Sequence, residues 1–460
     1  MVWGGSPGGY TRVLLCFIFL PVFSQFFPET LREPCRREAP IRLLDSLRCI
    51  MGVSGARAME CIEVARGSGV WVSGPAKVVI ERGSFMATGF VLEGGAEIIV
   101  RGERGSSLYA LEDSRLCLGL GANGAYRLVE KGYELVEEWQ RVVKELEETG
   151  SRRIVVVGAP ESGKSTLSTW LRNALRLCVV EADVGQNEFG TPGMVSLAPP
   201  GDGHVLSLQD LVPSKGFFVG HVSAEKVIDL VIAATTRAAR ECREYVMDTD
   251  GFVTHRGVVY KRALVEAVEP DTVIVLGQER LARELSGLGV DVVRAPSVPP
   301  ELVRLRSRGD RRAYRQRLYA SLFSASKPIV LRGVPAAHLC PYSISSEEVI
   351  YTCTNTVFIE SRRRPDAPAR WLRPGWARGL LAGIRSNDGD TLAVVEDLDI
   401  PGEKIVLRPA GNKGISTDNV RLVLLGWVRI RDDYSEEHYQ PAPFPEALET
   451  RRRSLRAKRI

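Results

Sequence analysis

Residues 154–175, IVVVGAPESGKSTLSTWLRNAL, leave little freedom in what this chain can fold into. Four β-branched apolar residues run into Gly158, and Gly158, Ala159, Pro160, Glu161, Ser162, Gly163, Lys164 and Ser165 match the pattern GxxxxGK[ST]. Thr166 and a helix-forming run over residues 167–175 follow. A strand ending on a glycine, a loop closing on Lys-Ser, and a helix form a phosphate-binding unit. Glycines at 158 and 163 free the backbone to turn its N–H groups inward, where the positive end of the helix dipole reinforces them. In that unit Lys164 reaches the β and γ phosphates, and Ser165 offers a ligand to Mg2+ or another divalent cation. The stretch therefore predicts a site for a nucleoside triphosphate, ATP in the simplest case.

Alternation beyond this unit sets the fold class. Apolar runs at residues 177–180, 245–247, 273–276 and 290–293 are separated by helical segments, which predicts an α/β, doubly wound parallel sheet. Ligands bind at the carboxyl ends of such strands, so residues 158–165, 183–186 and 248–252 are the candidates. Residues 61–126 read differently: short β-rich runs between Gly-Ser, Gly-Pro and Gly-Gly turns predict a small antiparallel sandwich or barrel. Leu135, Trp139, Val142, Val143 and Leu146 then recur at helical spacing, and Trp139 is expected in the core. From residue 327 strand patterns return. The expected organisation is a leader over 1–55, an N-terminal β-rich, sandwich-like domain over 56–130, a P-loop domain over 131–325, a C-terminal β-rich domain over 326–432 and a basic tail over 433–460.

Composition narrows the class without naming it. A chain of 460 residues with 44% apolar and 25% charged residues has room for about three globular domains. A net charge of +5 is too mild to announce nucleic acid by itself, so local clusters must carry that argument. Nine cysteines without a CxxC pair are expected to be reduced thiols in a cytoplasmic protein. His338, Cys340 and Cys353 lack a fourth ligand at zinc-like spacing, and buried neutral cysteine is the expected reading. Residues 13–27 are strongly hydrophobic but short for a membrane span. The favoured reading is an extended gene model with translation starting at Met51 or Met59, so no membrane contact is expected.

Three further stretches bear on chemistry. Glu181, Asp183, Gly185 and Gln186, with Pro192 and Gly193 downstream, set carboxylates and an amide where a strand ends. Asp248, Thr249, Asp250, Gly251 and Phe252 do so one strand later. Residues 301–317 hold seven arginines, of which Arg304, Arg308, Arg311 and Arg315 share one helical face, as a phosphate-covering lid would require.

Taken together, residues 60–430 resemble the polynucleotide 5′-hydroxyl kinases, the RNA kinases related to the mRNA 3′-end cleavage-factor subunit and to the ribosomal-RNA-processing kinases. The DxDxGQ-type motif is met by Glu181, Asp183, Gly185 and Gln186, with Glu at the first acidic position. The TxGW clasp corresponds to Thr249, Gly251 and Phe252, with phenylalanine in place of tryptophan. The RxxxR lid is met by Arg311 and Arg315, with Arg306 upstream; Arg308 and Arg312 give an alternative register. The resemblance implies transfer of the ATP γ-phosphate to the 5′-hydroxyl end of RNA or DNA, with RNA-processing proteins as further partners. Asp183 is then the expected base and a metal ligand beside Ser165, with Asp248 its rival as base, and Gln186 sits beside the phosphates. Thr249, Gly251, Phe252 and Arg306 would hold the polynucleotide. A non-catalytic ATP-binding scaffold is the competing expectation.

Overall fold

The computed structural model describes residues 59–102, 105–130, 133–299, 307–345, 348–411, 415–438 and 443–444, all within one compact unit. The expected leader, Met51, Arg304, Arg306 and the last sixteen residues, 445–460, lie outside the described residues. Among the described residues no helix is long and apolar enough to cross a membrane, and residues 13–27 fall outside that set.

Nine short strands come first: β1 (Glu60–Val64), β2 (Gly69–Ser73), β3 (Ala76–Arg82), β4 (Ser84–Ala87), β5 (Phe90–Glu93), β6 (Glu97–Val100), β7 (Gly105–Ala110), β8 (Ser114–Leu120) and β9 (Ala125–Val129). They form two antiparallel sheets, ordered β1-β8-β3-β6 and β5-β4-β7-β2-β9. Alternation on β3, where Ala76, Val78 and Ile80 are buried and Lys77 and Val79 are not, turns one face onto a core shared by both sheets. Helix α1 (Tyr133–Thr149) then crosses to the central domain, where Trp139 is buried edge-on to Trp170 at 5.6 Å between ring centroids.

The central sheet contains β10 (Arg153–Gly158), β11 (Cys178–Glu181), β12 (Met194–Ala198), β13 (Lys215–Phe218), β14 (Tyr245–Asp248), β15 (Thr272–Leu276) and β16 (Asp291–Ala295). Its order is β13-β12-β11-β14-β10-β15-β16, and the five strands from β11 to β16 in that order are parallel. The sequence pattern predicts these five. It misses the antiparallel extension by β12 and β13. Ile154 and Val156 of β10 face α1 and α2 (Lys164–Leu175). Val155 and Val157 face α3 (Ile228–Arg240), α4 (His255–Val268) and α5 (Glu279–Ser286). Helices on both faces bury both sides of β10, which is why it reads as a continuous apolar run rather than an alternating one.

After α6 (Arg308–Phe323) come β17 (Ile329–Arg332), β18 (Ala336–Ala337), β19 (Tyr342–Ser345), β20 (Glu348–Cys353), β21 (Thr356–Glu360), β22 (Arg370–Leu372), β23 (Leu380–Ser386), β24 (Gly389–Asp399), β25 (Lys404–Pro409), β26 (Leu422–Ile430) and β27 (Glu436–His438). One sheet runs β17-β25-β24-β23-β26-β18 with β27 paired to β26, and a smaller one runs β19-β20-β21-β22. Asp390 of β24 fastens this region to the central sheet by accepting the Phe218 N–H at 2.9 Å, while its partners Arg385 and Arg237 balance its charge. Residues 436–438, expected in a basic tail, are instead a strand of the C-terminal sheet, and Phe444 is buried in the core that this sheet shares with the central one.

The cysteine expectation requires correction. Cys61–Cys117, Cys178–Cys242 and Cys340–Cys353 are disulfides, with Cα atoms 4.0, 6.5 and 5.3 Å apart. Separations of 56, 64 and 13 residues carry no local signature, so only the fold reveals the pairs. Cys340 and Cys353 are thereby removed as metal ligands, and His338 Nδ1 lies 2.9 Å from the Leu425 carbonyl.

Candidate active site

The phosphate loop joins β10 to α2, which begins on Lys164 with Gly163 as its N-cap at φ 95°. A side chain at 163 would also run into Val298, so both conformation and space demand glycine. Lys164 is 8% exposed and its Nζ donates to the Ala159 carbonyl at 2.8 Å. A Cβ on Gly251 would lie 2.6 Å from the Pro160 nitrogen, so the loop after β14 is pressed directly against the phosphate loop.

These segments enclose a cleft of about 580 Å³. It is lined by Pro160, Glu161, Gly163, Lys164, Ser165 and Thr166 of the loop, Asp183, Gly185 and Gln186 after β11, Thr249 to Phe252 after β14, and Arg308, Arg311 and Arg315 of α6. Gly158, Ala159 and Ser162 shape the loop from behind and do not line the cleft; Arg306 lies outside the described residues. A smaller pocket of about 190 Å³ opens beside it, sharing Trp71, Ser165, Thr166 and Glu188 and walled by the β-rich N-terminal domain.

Four carboxylates gather at the strand ends. Glu181 and Asp248 are register partners on the parallel strands β11 and β14. Glu181 is fully buried; it accepts the Asp183 N–H at 3.1 Å and the Glu188 N–H at 3.4 Å, shaping the loop between them. Burial and then the neighbouring Asp248 hold its carboxyl well above the usual range. Asp183 Oδ1 accepts the Gly185 and Gln186 N–H groups, both at 2.9 Å. Burial first, and the charge of Asp250 next, raise its pKa despite those bonds and Lys164. Asp248 is 1% exposed and its Oδ1 has no hydrogen-bond partner. Burial pushes it up to about 7, against the opposing pull of Lys164 and a hydrogen bond with Ser165.

Asp250, named within the acidic stretch after β14 but given no role of its own there, holds this loop. Its Oδ2 accepts from Tyr260 Oη at 2.9 Å and from the fully buried Lys261 Nζ at 3.1 Å, and its Oδ1 accepts the Phe252 N–H at 2.8 Å. Phe252 stacks near Tyr260 with 6.4 Å between centroids and presents a half-buried ring to the cleft. Thr249 Oγ1 is spent on the Val156 carbonyl at 2.8 Å, so this hydroxyl fixes the loop to β10.

Of the expected arginine stripe, Arg308, Arg311 and Arg315 line the cleft. Helix α6 starts at Arg308 behind a capping box of Ser307 and Asp310, and Arg304 is outside the described residues. Arg311 is half-buried toward the cleft, Arg308 lines it from the first turn of α6, and Arg312 is exposed and does not line it. Arg315 is held from two sides. Its Nε and Nη2 donate to the two oxygens of Glu436 at 2.5 and 2.7 Å, and its Nη1 donates to the Gly185 carbonyl at 3.2 Å. Nearby, Ser223 N–H donates to His221 Nδ1 at 3.0 Å, and His221 Nε2 lies 3.2 Å from His438 Nδ1. Glu436 and His438 stand on β27, more than a hundred residues from their partners, and no local pattern announces them.

Comparison with known proteins agrees with this geometry. Residues 158–325 match the family described as the mRNA cleavage and polyadenylation factor CLP1 P-loop. A polyribonucleotide 5′-hydroxyl-kinase of Pyrococcus furiosus is 26% identical over 322 residues, 62% of this chain and 89% of the relative. One of Thermococcus kodakarensis is 33% identical over 214 residues, 43% of this chain and 60% of the relative. Among solved structures, Clp1p from a wild-type Clp1p–Pcf11p complex superposes with a TM-score of 0.54 at 12% identity, covering 82% of this chain and 99% of that one, a likeness of fold. With the phosphate loop, the acidic strand ends and the arginine-bearing helix set around one cleft, the central part of the chain is similar to the CLP1 P-loop family and to the polyribonucleotide 5′-hydroxyl-kinases.

Proposed function

We propose that the chain transfers the γ-phosphate of ATP to the 5′-hydroxyl of single-stranded RNA, with DNA ends as a further substrate. The single observation that carries this reading is the cleft itself, where a phosphate loop, a buried carboxylate and a lid arginine converge on one space. Phosphoryl transfer asks the protein for positioning and charge stabilisation rather than covalent chemistry. The amides of residues 160–166 and Lys164 would hold the triphosphate, with its γ end toward Asp183 and Arg311 and its base toward the smaller pocket beside Trp71. Asp183, raised by burial and held in place by two backbone N–H groups, would orient the attacking hydroxyl and take up its proton. Arg311 would meet the charge that moves between leaving and attacking oxygens. Phe252 would stack on the terminal base above Gly251.

Mg2+ or another divalent cation fits best between Ser165 and Asp248, because the buried Asp248 Oδ1 has no partner and the two side chains are already hydrogen-bonded. When bound it would neutralise phosphate charge. Asp183, expected in both roles, is assigned here to the hydroxyl. RNA-processing proteins are proposed partners, in keeping with the Pcf11p bound in the structural neighbour.

Incubation with a 5′-hydroxyl oligoribonucleotide and ATP labelled in the γ position tests the reading. Label at the 5′ end supports it. ATP binding without any transfer, on RNA and DNA alike, would instead mean a nucleotide-binding scaffold.

A further inference from the structure

The C-terminal domain carries a concentration of charge that the cleft does not use. Residues 361–379, SRRRPDAPARWLRPGWARG, hold six arginines and one acid, Asp366. Arg362, Arg363, Arg364, Arg370, Arg373 and Arg378 are all exposed, and among the described residues none has a carboxylate partner. Along this stretch a single acid, Asp366, accompanies the six arginines. The fold also concentrates them. Strands β21 and β22 are parallel with Glu360 opposite Leu372, so Arg362 and Arg363 leave the sheet at the same end as Arg373. Arg373 lies over the ring of Trp371, 4.8 Å from its centroid.

Arg373, Arg378, Trp371 and Tyr434 line an open groove of about 1050 Å³. Most of its carboxylates are engaged within the protein: Glu396 with Arg408, Glu437 with Arg431, and Asp433 with the Ser435 N–H. Phe323, the last residue of α6, lines the same groove. The lid helix therefore connects the two sites, with Arg311 in the catalytic cleft and Phe323 in the groove. At 1.5 Å per residue that separation is about 18 Å, roughly five stacked nucleotides at ~3.4 Å each.

Building on the function proposed above, we infer that this groove binds the body of the single-stranded RNA whose 5′ end occupies the cleft. Unpaired arginines would contact successive phosphates, and the half-exposed rings of Trp371 and Tyr434 would stack on bases without sequence preference. Contacts begin about five nucleotides from the reacting end, so affinity grows with strand length while the chemistry at the terminus does not change.

Equilibrium binding of fluorescent 5′-hydroxyl RNA to the full chain tests this independently of catalysis. A 20-mer should bind at least about tenfold more tightly than a trinucleotide at low salt, and the double variant Arg373→Gln, Arg378→Gln should remove most of that advantage. Its slope of log affinity against log salt should fall by about 1.4, at ~0.7 per lost contact on a single strand. Arg373→Lys with Arg378→Lys should retain the slope, and Arg362→Gln, Arg363→Gln, Arg364→Gln gives a second set of exposed changes if the first pair melts early. Wild-type affinity and slope in both glutamine variants would overturn the inference, and displacement of poly-glutamate by the same changes would reassign the surface to an acidic protein. Transfer of label to the trinucleotide reports separately on the proposed activity.

Discussion

The phosphate loop and the lid helix face one another across the same cleft, but they are held there by different means. The loop is built from consecutive residues between β10 and α2, its glycine forced by Val298 and its lysine bonded within the loop at Ala159. The lid is positioned from a distance: Arg315 is clamped by Glu436, which belongs to the C-terminal sheet. Nucleotide holding is thus a local property of the β10–α2 connection, whereas lid placement depends on the C-terminal sheet packing correctly. Variants on the two sides should separate accordingly.

The largest effect is expected on the loop side. Lys164→Ala should lower turnover about a thousandfold, near 4 kcal/mol, by removing a charge aimed at the transferring phosphate. Folding should survive, because the side chain supports the loop and no apolar core. Single-turnover label transfer alongside thermal melting measures both. A variant within tenfold of wild type would break the assignment of the loop.

That asymmetry also decides what the sequence could reveal. The loop is legible because eight adjacent residues contain all of its chemistry, and the five parallel strands are legible as apolar runs. Strands β12 and β13 are set among Gly, Pro and Asp turns, and no α-helix lies between β11 and β12 or between β12 and β13 to mark them in the sequence. The carboxylates of residues 181–183 and 248 were legible as strand ends, but their division of labour rests on burial and on which oxygen is already bonded, and neither is written in a motif. Glu436, His438 and the disulfides depend on contacts that only the folded chain creates.

On the lid side, Glu436→Ala should be the most damaging change. Arg315 and Glu436 side chains are 10% and 2% exposed, so removing one partner strands the other charge. A loss of about 3 kcal/mol in unfolding free energy is expected, with ATP affinity unchanged within about threefold. Denaturant unfolding and nucleotide titration separate the two. Undiminished stability would show that the clamp is incidental.

Arg311→Ala sharpens the contrast within one helix. Its guanidinium lines the cleft and has no counterpart of the Glu436 clamp, so the expected loss is about a hundredfold in turnover, near 2.7 kcal/mol, with little change in stability. Arg315→Ala should lose both stability and rate. Equal stability losses in the two variants, measured by melting, would erase the proposed difference between a charge used in the reaction and one that positions the helix.

The smallest effect concerns the histidines that close the lid side. Ser223 N–H donates to His221 Nδ1, so that nitrogen carries no proton, and the neutral ring must donate from Nε2 to His438 Nδ1. Burial first, and His438 next, depress His221 to about 3, with Lys226 and Arg315 opposing a second positive charge. An unfolded histidine titrates near 6.5, so between that pH and about 3 the unfolded chain binds a proton that the folded chain refuses. Stability from the buried neutral ring is therefore complete above pH ~6.5 and declines on acidification, by up to about 1.4 kcal/mol per pH unit from this group. His221→Asn, which can still accept from Ser223, should flatten that slope between pH 6.5 and 5 while leaving stability at pH 8 within about 1 kcal/mol of wild type. Parallel slopes for the variant and wild-type chains in denaturant unfolding would mean that the ring protonates freely in the folded state, and that the contact between β27 and the central domain is looser than the clamp on Arg315 implies.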